Sequence, residues 1–267
     1  MTLHALPWML ASLRMKPLML ALPVLLALLP ARTVEAQSIS EREQYRSTKN
    51  FAIELRLGPY SPGIDEEFAG LPADQRPHQA YFGKDSALLF QTEFDYQFLQ
   101  EPGSLAIGLG VGYLQQSSNA FVEPTSGGAP TIRSGDSTGL KVIPLSLSLV
   151  YRMDLLARHS SIPLVPYGKV GLDYGVWYVT NGNGDFAKSP DGGNGYGGTP
   201  GWHAAIGLSV VLDVFDPGAS QALDSEIGVN HTLAFVEYGH YDFSGLGQSN
   251  KLQLGDTTWT AGVMFEF

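Results

Sequence analysis

Hydrophobic and polar residues alternate along eight stretches of this chain, and the stretch at 87–99 has the most regular pattern. There Leu88, Phe90 and Phe94 fall on one face, while Gln91 and Glu93 fall on the other. Side chains of a strand point to opposite faces with period two, so each stretch predicts a β-strand with one apolar face. The predicted strands cover residues 50–58, 87–99, 105–114, 139–153, 163–180, 202–214, 231–243 and 258–267, with a bulge expected at Pro144.

The last of these stretches carries an aromatic-rich face formed by Trp259, Ala261, Val263, Phe265 and Phe267. An apolar strand left at the edge of a sheet invites aggregation, and closing the sheet into a barrel removes that edge. The C-terminal strand therefore favours a closed barrel in which it pairs with the first strand.

The lengths of the connections distinguish a barrel from a soluble two-sheet sandwich, which would produce the same alternation. Long connections follow the odd strands, at 59–85, 115–138, 181–201 and 244–256, whereas two of the three connections after even strands are short. Membrane barrels have short periplasmic turns and longer external loops. The sequence thus predicts an all-β fold, a single eight-stranded antiparallel up-and-down transmembrane β-barrel with long extracellular loops.

Aromatic residues on the predicted outward faces fall near the strand ends, as in the interfacial belts of membrane proteins. The outer belt is predicted from Tyr113, Tyr178, Trp202 and Trp259. The periplasmic belt is predicted from Phe51, Tyr96, Phe98, Tyr151, Phe265 and Phe267.

The first 36 residues predict a cleavable signal peptide. Arg14 and Lys16 precede an apolar run at 18–29, and Val34-Glu35-Ala36 is a small-residue cleavage site. The run is shorter than the ~20 apolar residues of a membrane-spanning helix. The predicted organisation is a signal peptide at 1–36, a periplasmic tail at 37–49 and an outer-membrane barrel at 50–267. A short surface helix is expected at 220–227.

Composition limits the chemistry of the chain. The formal net charge is -10 and there is no cysteine. Nucleic-acid binding requires clustered Lys and Arg, so the acidity argues against it. Disulfides and thiolate metal sites are excluded outright.

Several motifs resemble a family of predicted small outer-membrane β-barrel proteins of Gram-negative bacteria. These motifs lie at 57–60 with Asp65, 197–203, 212–217, 228–232, 235–238 and 255–259. The resemblance implies an outer-membrane location, with lipid and lipopolysaccharide around the barrel. The terminal Phe267 would then be the signal for the barrel-assembly machinery. It implies no activity, and we expect a monomer without a cofactor.

Charged residues occupy the inward faces of the predicted strands: Glu54, Arg56, Glu93, Asp95, Arg152, Lys169, Asp173 and Glu237. Side chains fill the interior of an eight-stranded barrel, and buried charges must pair because an unpaired one costs several kcal/mol. We expect a plug of ion pairs. The alternatives are a narrow porin-like polar pore and a ligand pocket near the outer mouth.

Enzymatic and metal sites are weaker candidates. His231, His240 and Ser244 are the nearest to a nucleophile and base for a lipid-acting hydrolase, but His231 falls at the other end of its strand. Asp185, Asp191 and Asn194 fit no calcium-loop spacing. We therefore expect no enzyme and no metal. The predicted role is structural or surface-interactive, with transport or binding of a small or lipid-like solute as the alternative.

Overall fold

The computed structural model of the chain describes residues 50–72, 75–83, 86–122, 132–160, 162–188, 193–248 and 251–267. The predicted signal peptide at 1–36 and periplasmic tail at 37–49 lie outside the described residues.

Eight antiparallel strands form one closed barrel in which each strand pairs with the next and the last pairs with the first. The prediction of an eight-stranded up-and-down barrel is confirmed, and the sandwich alternative is wrong. The strands are β1 (Phe51–Tyr60), β2 (Ala87–Leu99), β3 (Ser104–Phe121), β4 (Arg133–Arg152), β5 (Leu164–Thr180), β6 (Tyr196–Val211), β7 (His231–Asp242) and β8 (Asp256–Glu266).

The barrel closes where β8 meets β1, with Leu55 opposite Val263. Beyond the paired strands, the Asn50 amide donates to the Phe267 carbonyl at 2.8 Å, and the Phe267 amide donates to the Phe51 carbonyl at 2.8 Å. Backbone groups that would form an open edge are therefore hydrogen-bonded along this seam.

The alternation predicted from the sequence corresponds to the two faces of the barrel wall. Inward residues are mostly buried, whereas outward Leu109, Leu172 and Ile206 are 62%, 60% and 69% exposed. Along β2, Leu88, Phe90 and Phe94 are exposed and Gln91 and Glu93 are buried, as the sequence pattern predicts.

The largest difference from prediction is a tall hairpin formed by β3 and β4. Residues 115–138 were expected to be a loop, yet β3 continues to Phe121 and β4 begins at Arg133. Ser117, Ser118 and Asn119 are polar on both faces of the ribbon, so the hairpin has no hydrophobic alternation to reveal it.

Three smaller predictions are corrected. The sixth strand begins earlier, at Tyr196, and ends at Val211, where a 3₁₀ helix (Leu212–Val214) follows. The bulge expected at Pro144 is absent, because Val111 pairs with Leu145 and Leu114 with Val142 in one continuous register. Proline is tolerated there without any shift of the pairing.

Short helices occupy the connections: a 3₁₀ helix (Gly63–Phe68), α1 (Pro77–Phe82), α2 (Leu155–His159) and α3 (Pro217–Ile227). The predicted surface helix corresponds to α3, which begins at the Asp216 cap and ends at left-handed Gly228. Among the described residues, no helix combines the length and apolar character needed to cross a membrane.

Side chains in the barrel interior form layers. At the long-loop end lies an apolar layer of Tyr60, Ile64, Leu89, Leu114, Leu140, Val142, Tyr241, Phe243 and Leu254. At the short-turn end lies a second apolar layer of Ala52, Ala157, Val165, Tyr167, Val211, Leu233, Phe235 and Met264. Charged residues fill the space between these two layers.

Candidate functional site

The central charge network contains seven side chains, each placed inward by the period of its strand. They are Glu54 and Arg56 of β1, Glu93 and Asp95 of β2, Arg152 of β4, Lys169 of β5 and Glu237 of β7. All seven are at most 4% exposed. The β1–β2 register sets Glu54 directly opposite Glu93, which brings two carboxylates to the same level of the lumen.

Arg56 and Lys169 each bridge three carboxylates. The Arg56 guanidinium reaches Glu93 at 2.7 Å and Glu237 at 3.0 Å, and it also contacts Glu54. The Lys169 ammonium lies 3.0 Å from Glu54, 3.3 Å from Glu93 and 3.2 Å from Glu237. Shared carboxylates make one network of what would otherwise be separate pairs.

Arg152 extends the network toward the short-turn end by bonding Glu54 at 2.5 Å and contacting Asp95. The network thus joins three cations to four carboxylates. Tyr167 adds a neutral donor, since its hydroxyl donates to Glu237 at 3.0 Å. Buried charges are tolerated when attraction and hydrogen bonds offset their desolvation, and this geometry provides both.

Carboxylate oxygens of Glu54, Glu93 and Asp95 lie within 4.8 Å of one another, a spacing that a metal ion could bridge. Here those carboxylates contact the guanidinium groups of Arg56 and Arg152 and the ammonium of Lys169. A further cation would have to displace an existing one. The three carboxylates are therefore anionic partners in an ion-pair network.

The eighth predicted lumen charge, Asp173, belongs to a different cluster. Its carboxylate lies 2.8 Å from His203 Nδ1, and His203 Nε2 lies 3.3 Å from the Ser148 hydroxyl oxygen. Serine, histidine and aspartate from the adjacent strands β4, β6 and β5 thus form a continuous hydrogen-bonded chain. The sequence pattern places Asp173 inside but does not show its pairing with His203, which depends on register.

This chain of hydrogen bonds resembles a catalytic triad in composition, yet it is sealed inside the barrel. Ser148, His203 and Asp173 are at most 7% exposed. Tyr241, part of the apolar layer at the long-loop end, has its ring 5.7 Å from the His203 ring. The arrangement satisfies a buried imidazole at both nitrogens, as buried polar groups require.

The hydrolase candidates considered from the sequence do not come together. His231 pairs with Asp213 at 2.6 Å at the short-turn end. His240 lies on the outward face near the long-loop end, where its Nδ1 is 2.7 Å from the Thr257 hydroxyl rather than beside Ser244.

Of the three residues considered for calcium, Asp185 and Asn194 lie among the described residues, and each forms a local hydrogen bond. The Asp185 backbone amide bonds the side chain of Asn181, and the Asn194 side chain donates to the Tyr196 hydroxyl at 3.2 Å. Asp191 lies outside the described residues.

The outward face carries an apolar band. Its large exposed side chains include Leu55, Leu57, Phe90, Phe94, Ile107, Leu109, Val111, Leu145, Leu147, Leu149, Val170, Leu172 and Ile206. A continuous apolar surface of this kind is typical of a binding or membrane interface rather than of a water-exposed wall.

Aromatic side chains predicted for the two belts flank this band on the outward face. Phe51, Tyr96, Phe98, Tyr113, Tyr151, Trp202 and Trp259 are exposed, and Tyr178, Phe265 and Phe267 are partly exposed. Phe267 follows the last residue of β8.

The polar atoms of three belt residues point away from the band. Toward the long-loop end, the Tyr113 hydroxyl donates to Gln115 at 2.7 Å and the Trp202 indole donates to Asp242 at 3.2 Å. Toward the short-turn end, the Tyr151 hydroxyl donates to the Pro102 carbonyl at 2.8 Å. Aromatic rings with one apolar and one polar end take this orientation at membrane–water boundaries.

Comparison with known proteins finds similar solved structures but no matching family model and no matching curated protein. The outer membrane protein OprG from Pseudomonas aeruginosa is 16% identical, with a TM-score of 0.42 over 84% of this chain and 98% of that chain. Ail, the attachment invasion locus protein of Yersinia pestis, solved with a heparin analogue, is 11% identical with a TM-score of 0.39, covering 82% and 97%.

A major outer membrane protein from Thermus thermophilus is 13% identical with a TM-score of 0.38, covering 83% of this chain and 100% of that chain. At these identities and scores the likeness extends no further than the general form of a barrel. The resemblance inferred from the motifs therefore stays a prediction.

Proposed function

We propose that this chain is a bacterial outer-membrane β-barrel, exported through a cleavable signal peptide. In this proposal its lumen is a packed structural plug and its long-loop end is a contact surface. The role is non-enzymatic. Lipid and lipopolysaccharide surround the barrel, which works as a monomer after insertion by the barrel-assembly machinery.

The observation that carries the proposal is the apolar outward band of a closed barrel. Leu109, Leu172 and Ile206 are all at least 60% exposed on three different strands. Exposure of such residues to water would cost about 25 cal/mol per Å² of apolar area, whereas hydrocarbon removes that cost. Closure also leaves no unpaired strand edge inside a bilayer.

The packing of the lumen supports a structural plug over a narrow pore. Along the barrel axis, the ion-pair network lies between the two apolar layers. Ions crossing this path would have to separate Arg56 and Lys169 from their buried carboxylates. Breaking a buried pair costs about 3–5 kcal/mol, and several such pairs lie across this path, which disfavours conduction.

The long-loop end carries ordered structure that suits a contact role. The Arg133 guanidinium donates to the backbone oxygens of Ala80 and Tyr81, which ties α1 to the hairpin of β3 and β4. Arg133 also lies 4.5 Å above the Phe121 ring, and Tyr81 stacks edge-on against the same ring at 4.9 Å. Binding sites are commonly built on loops held by such a scaffold.

Cell fractionation tests the location, and gel migration before and after boiling tests the barrel. We expect the protein in the outer-membrane fraction, with a faster-migrating folded form that shifts on heating. Recovery in the soluble fraction would refute the proposal. Planar-bilayer recording separates the plug from the pore, because steady channel currents would favour the pore.

A further inference from the structure

Three aromatic rings form an exposed cluster on the hairpin of β5 and β6. They belong to Tyr178 of β5, Phe186 of the connection and Tyr196 of β6. The Phe186 ring lies 5.7 Å from the Tyr178 ring and 5.4 Å from the Tyr196 ring. Phe186 and Tyr196 are nevertheless 57% and 52% exposed. An exposed apolar patch of this kind, surrounded by polar residues, is typical of an interaction site.

The cluster rises from the outer aromatic belt toward the long-loop end. On β6, Tyr196 precedes the belt residue Trp202 by six residues, which is roughly 20 Å along the strand. At the ~35–45° tilt of barrel strands, this separation is about 15 Å in height. Tyr178 pairs with Tyr196 across the two strands. In the proposed membrane location the hydrocarbon ends near Trp202, so these rings reach the layer of sugar and phosphate headgroups.

A cation borders the cluster. Lys141 of β4 pairs with Tyr178, and its ammonium lies 5.4 Å from the centre of the Tyr178 ring. Among the residues that the structure describes, Lys141 forms no ion pair with a carboxylate. The lumen cations Arg56, Arg152 and Lys169 differ, since each of them contacts carboxylates. The positive charge of Lys141 is therefore open to an anion outside the barrel.

Aromatic faces beside an ammonium group match a phosphorylated sugar. The face of an aromatic ring is negative and attracts the C–H groups of a sugar ring, while lysine binds phosphate as a point charge. The Asn194 amide, which donates to the Tyr196 hydroxyl at 3.2 Å, adds a polar group at the edge of the cluster. A protein partner fits less well, because lysine is depleted in the cores of protein interfaces.

We propose that Tyr178, Phe186, Tyr196 and Lys141 form a docking site for the phosphorylated saccharide of lipopolysaccharide in the leaflet on the long-loop side. The sugar rings lie against Phe186 and Tyr196, and a phosphate lies beside Lys141. The inference rests on the proposed outer-membrane location. It deepens that proposal because it assigns one part of the lipopolysaccharide molecule to one sector of the barrel.

Titration with deacylated lipopolysaccharide tests the site apart from the apolar band, since this probe has no acyl chains. The folded barrel in detergent micelles is titrated calorimetrically with the phosphorylated saccharide. We expect saturable binding that weakens about tenfold in Lys141→Gln and persists in Lys141→Arg. The same saccharide freed of phosphate should bind the wild-type protein no better than it binds Lys141→Gln. Absence of binding to the wild-type protein, or equal affinity with and without phosphate, would overturn the site.

Phe186→Ala and Tyr196→Ala test the aromatic faces. Each substitution should weaken binding about fivefold, because the sugar loses one ring face. The matched controls are Phe98→Ala and Tyr96→Ala, which remove rings of the short-turn belt that are 47% and 49% exposed. The controls should keep the wild-type affinity. Equal weakening in the controls, or unaltered affinity in both cluster variants, would refute the site.

Photocrosslinking in Gram-negative cells tests the source of the saccharide. Phe186→benzoylphenylalanine should capture lipopolysaccharide, whereas Phe98→benzoylphenylalanine should not. Capture of a protein alone at position 186 contradicts the proposal. A barrel that fractionates with the outer membrane but captures no lipopolysaccharide refutes the site alone, whereas recovery in the soluble fraction refutes the location. Heat-modifiable migration of each variant verifies that it has folded.

Discussion

The inward and outward sides of each strand meet different environments, and two consecutive residues of β4 show the difference. Leu147 points outward in the middle of the apolar band, while Ser148 points inward and bonds His203. The inward face accommodates polar groups largely by pairing them, as Ser148 and His203 do, and the outward face suits apolar groups that hydrocarbon or another apolar surface covers. A substitution should therefore change in cost, and even in sign, when it moves by one residue.

The largest expected effect comes from breaking the charge network. Arg56→Met removes the cation shared by Glu54, Glu93 and Glu237 and leaves buried carboxylates with fewer partners. We expect a loss of about 3–5 kcal/mol of folding free energy, measured by urea unfolding in detergent micelles. Arg76→Met is the control. It removes a guanidinium that donates to the Ala69 and Leu71 carbonyls outside the charge network, and it should cost far less. Equal losses in both variants would contradict a special role for the network.

The outward face should reject the same kind of charge that the lumen accepts. Leu147→Arg places a guanidinium in the middle of the band, where it should cost about 2–4 kcal/mol in a bilayer. Unfolding from phospholipid vesicles measures the cost, with Leu147→Val as the control. If Leu147→Arg left the free energy of unfolding unchanged, this face would meet water, and the membrane proposal would then fail.

Removing one neutral donor from the network gives a finer test. Tyr167→Phe deletes the hydroxyl that bonds Glu237 but keeps the ring in its apolar layer. The expected loss is about 1–3 kcal/mol, because a buried carboxylate oxygen loses a donor. Tyr151→Phe, which removes an exposed hydroxyl, is the matched control, and urea unfolding compares the two.

The smallest effect is expected at the sealed serine. Ser148→Ala should cost about 0.5–1.5 kcal/mol, the net value of one hydrogen bond. A fluorophosphonate reagent should leave Ser148 unlabelled in the folded barrel, since the residue is buried. Rapid labelling that disappears in Ser148→Ala would instead reveal an accessible nucleophile and would revive the enzyme hypothesis.

Much of the wall was predictable because a period of two leaves a strong signal wherever one face is apolar. Phe90 and Phe94 point outward, on the face that the alternation assigns to the apolar side chains. The same rule placed Glu54 and Lys169 inside. The charge partners were not predictable, because they depend on which inward residues share a level of the barrel.

Asp173 illustrates this limit. It lies four residues beyond Lys169 on β5, and the β5–β6 register sets Gly171 opposite His203, so Asp173 reaches the imidazole rather than Arg56. Leu89, Leu114 and Leu140 were signals that sequence reasoning left unused. They are apolar residues in inward phase, and they form much of the layer at the long-loop end.

The tall hairpin makes the rim of the barrel uneven. Leu114 is the last residue of β3 that pairs with β2, and β3 continues beyond it for another seven residues to Phe121, roughly 20 Å along the strand direction. Shortening this hairpin would therefore lower one sector of the rim, and with it the surface that a large object meets in that sector.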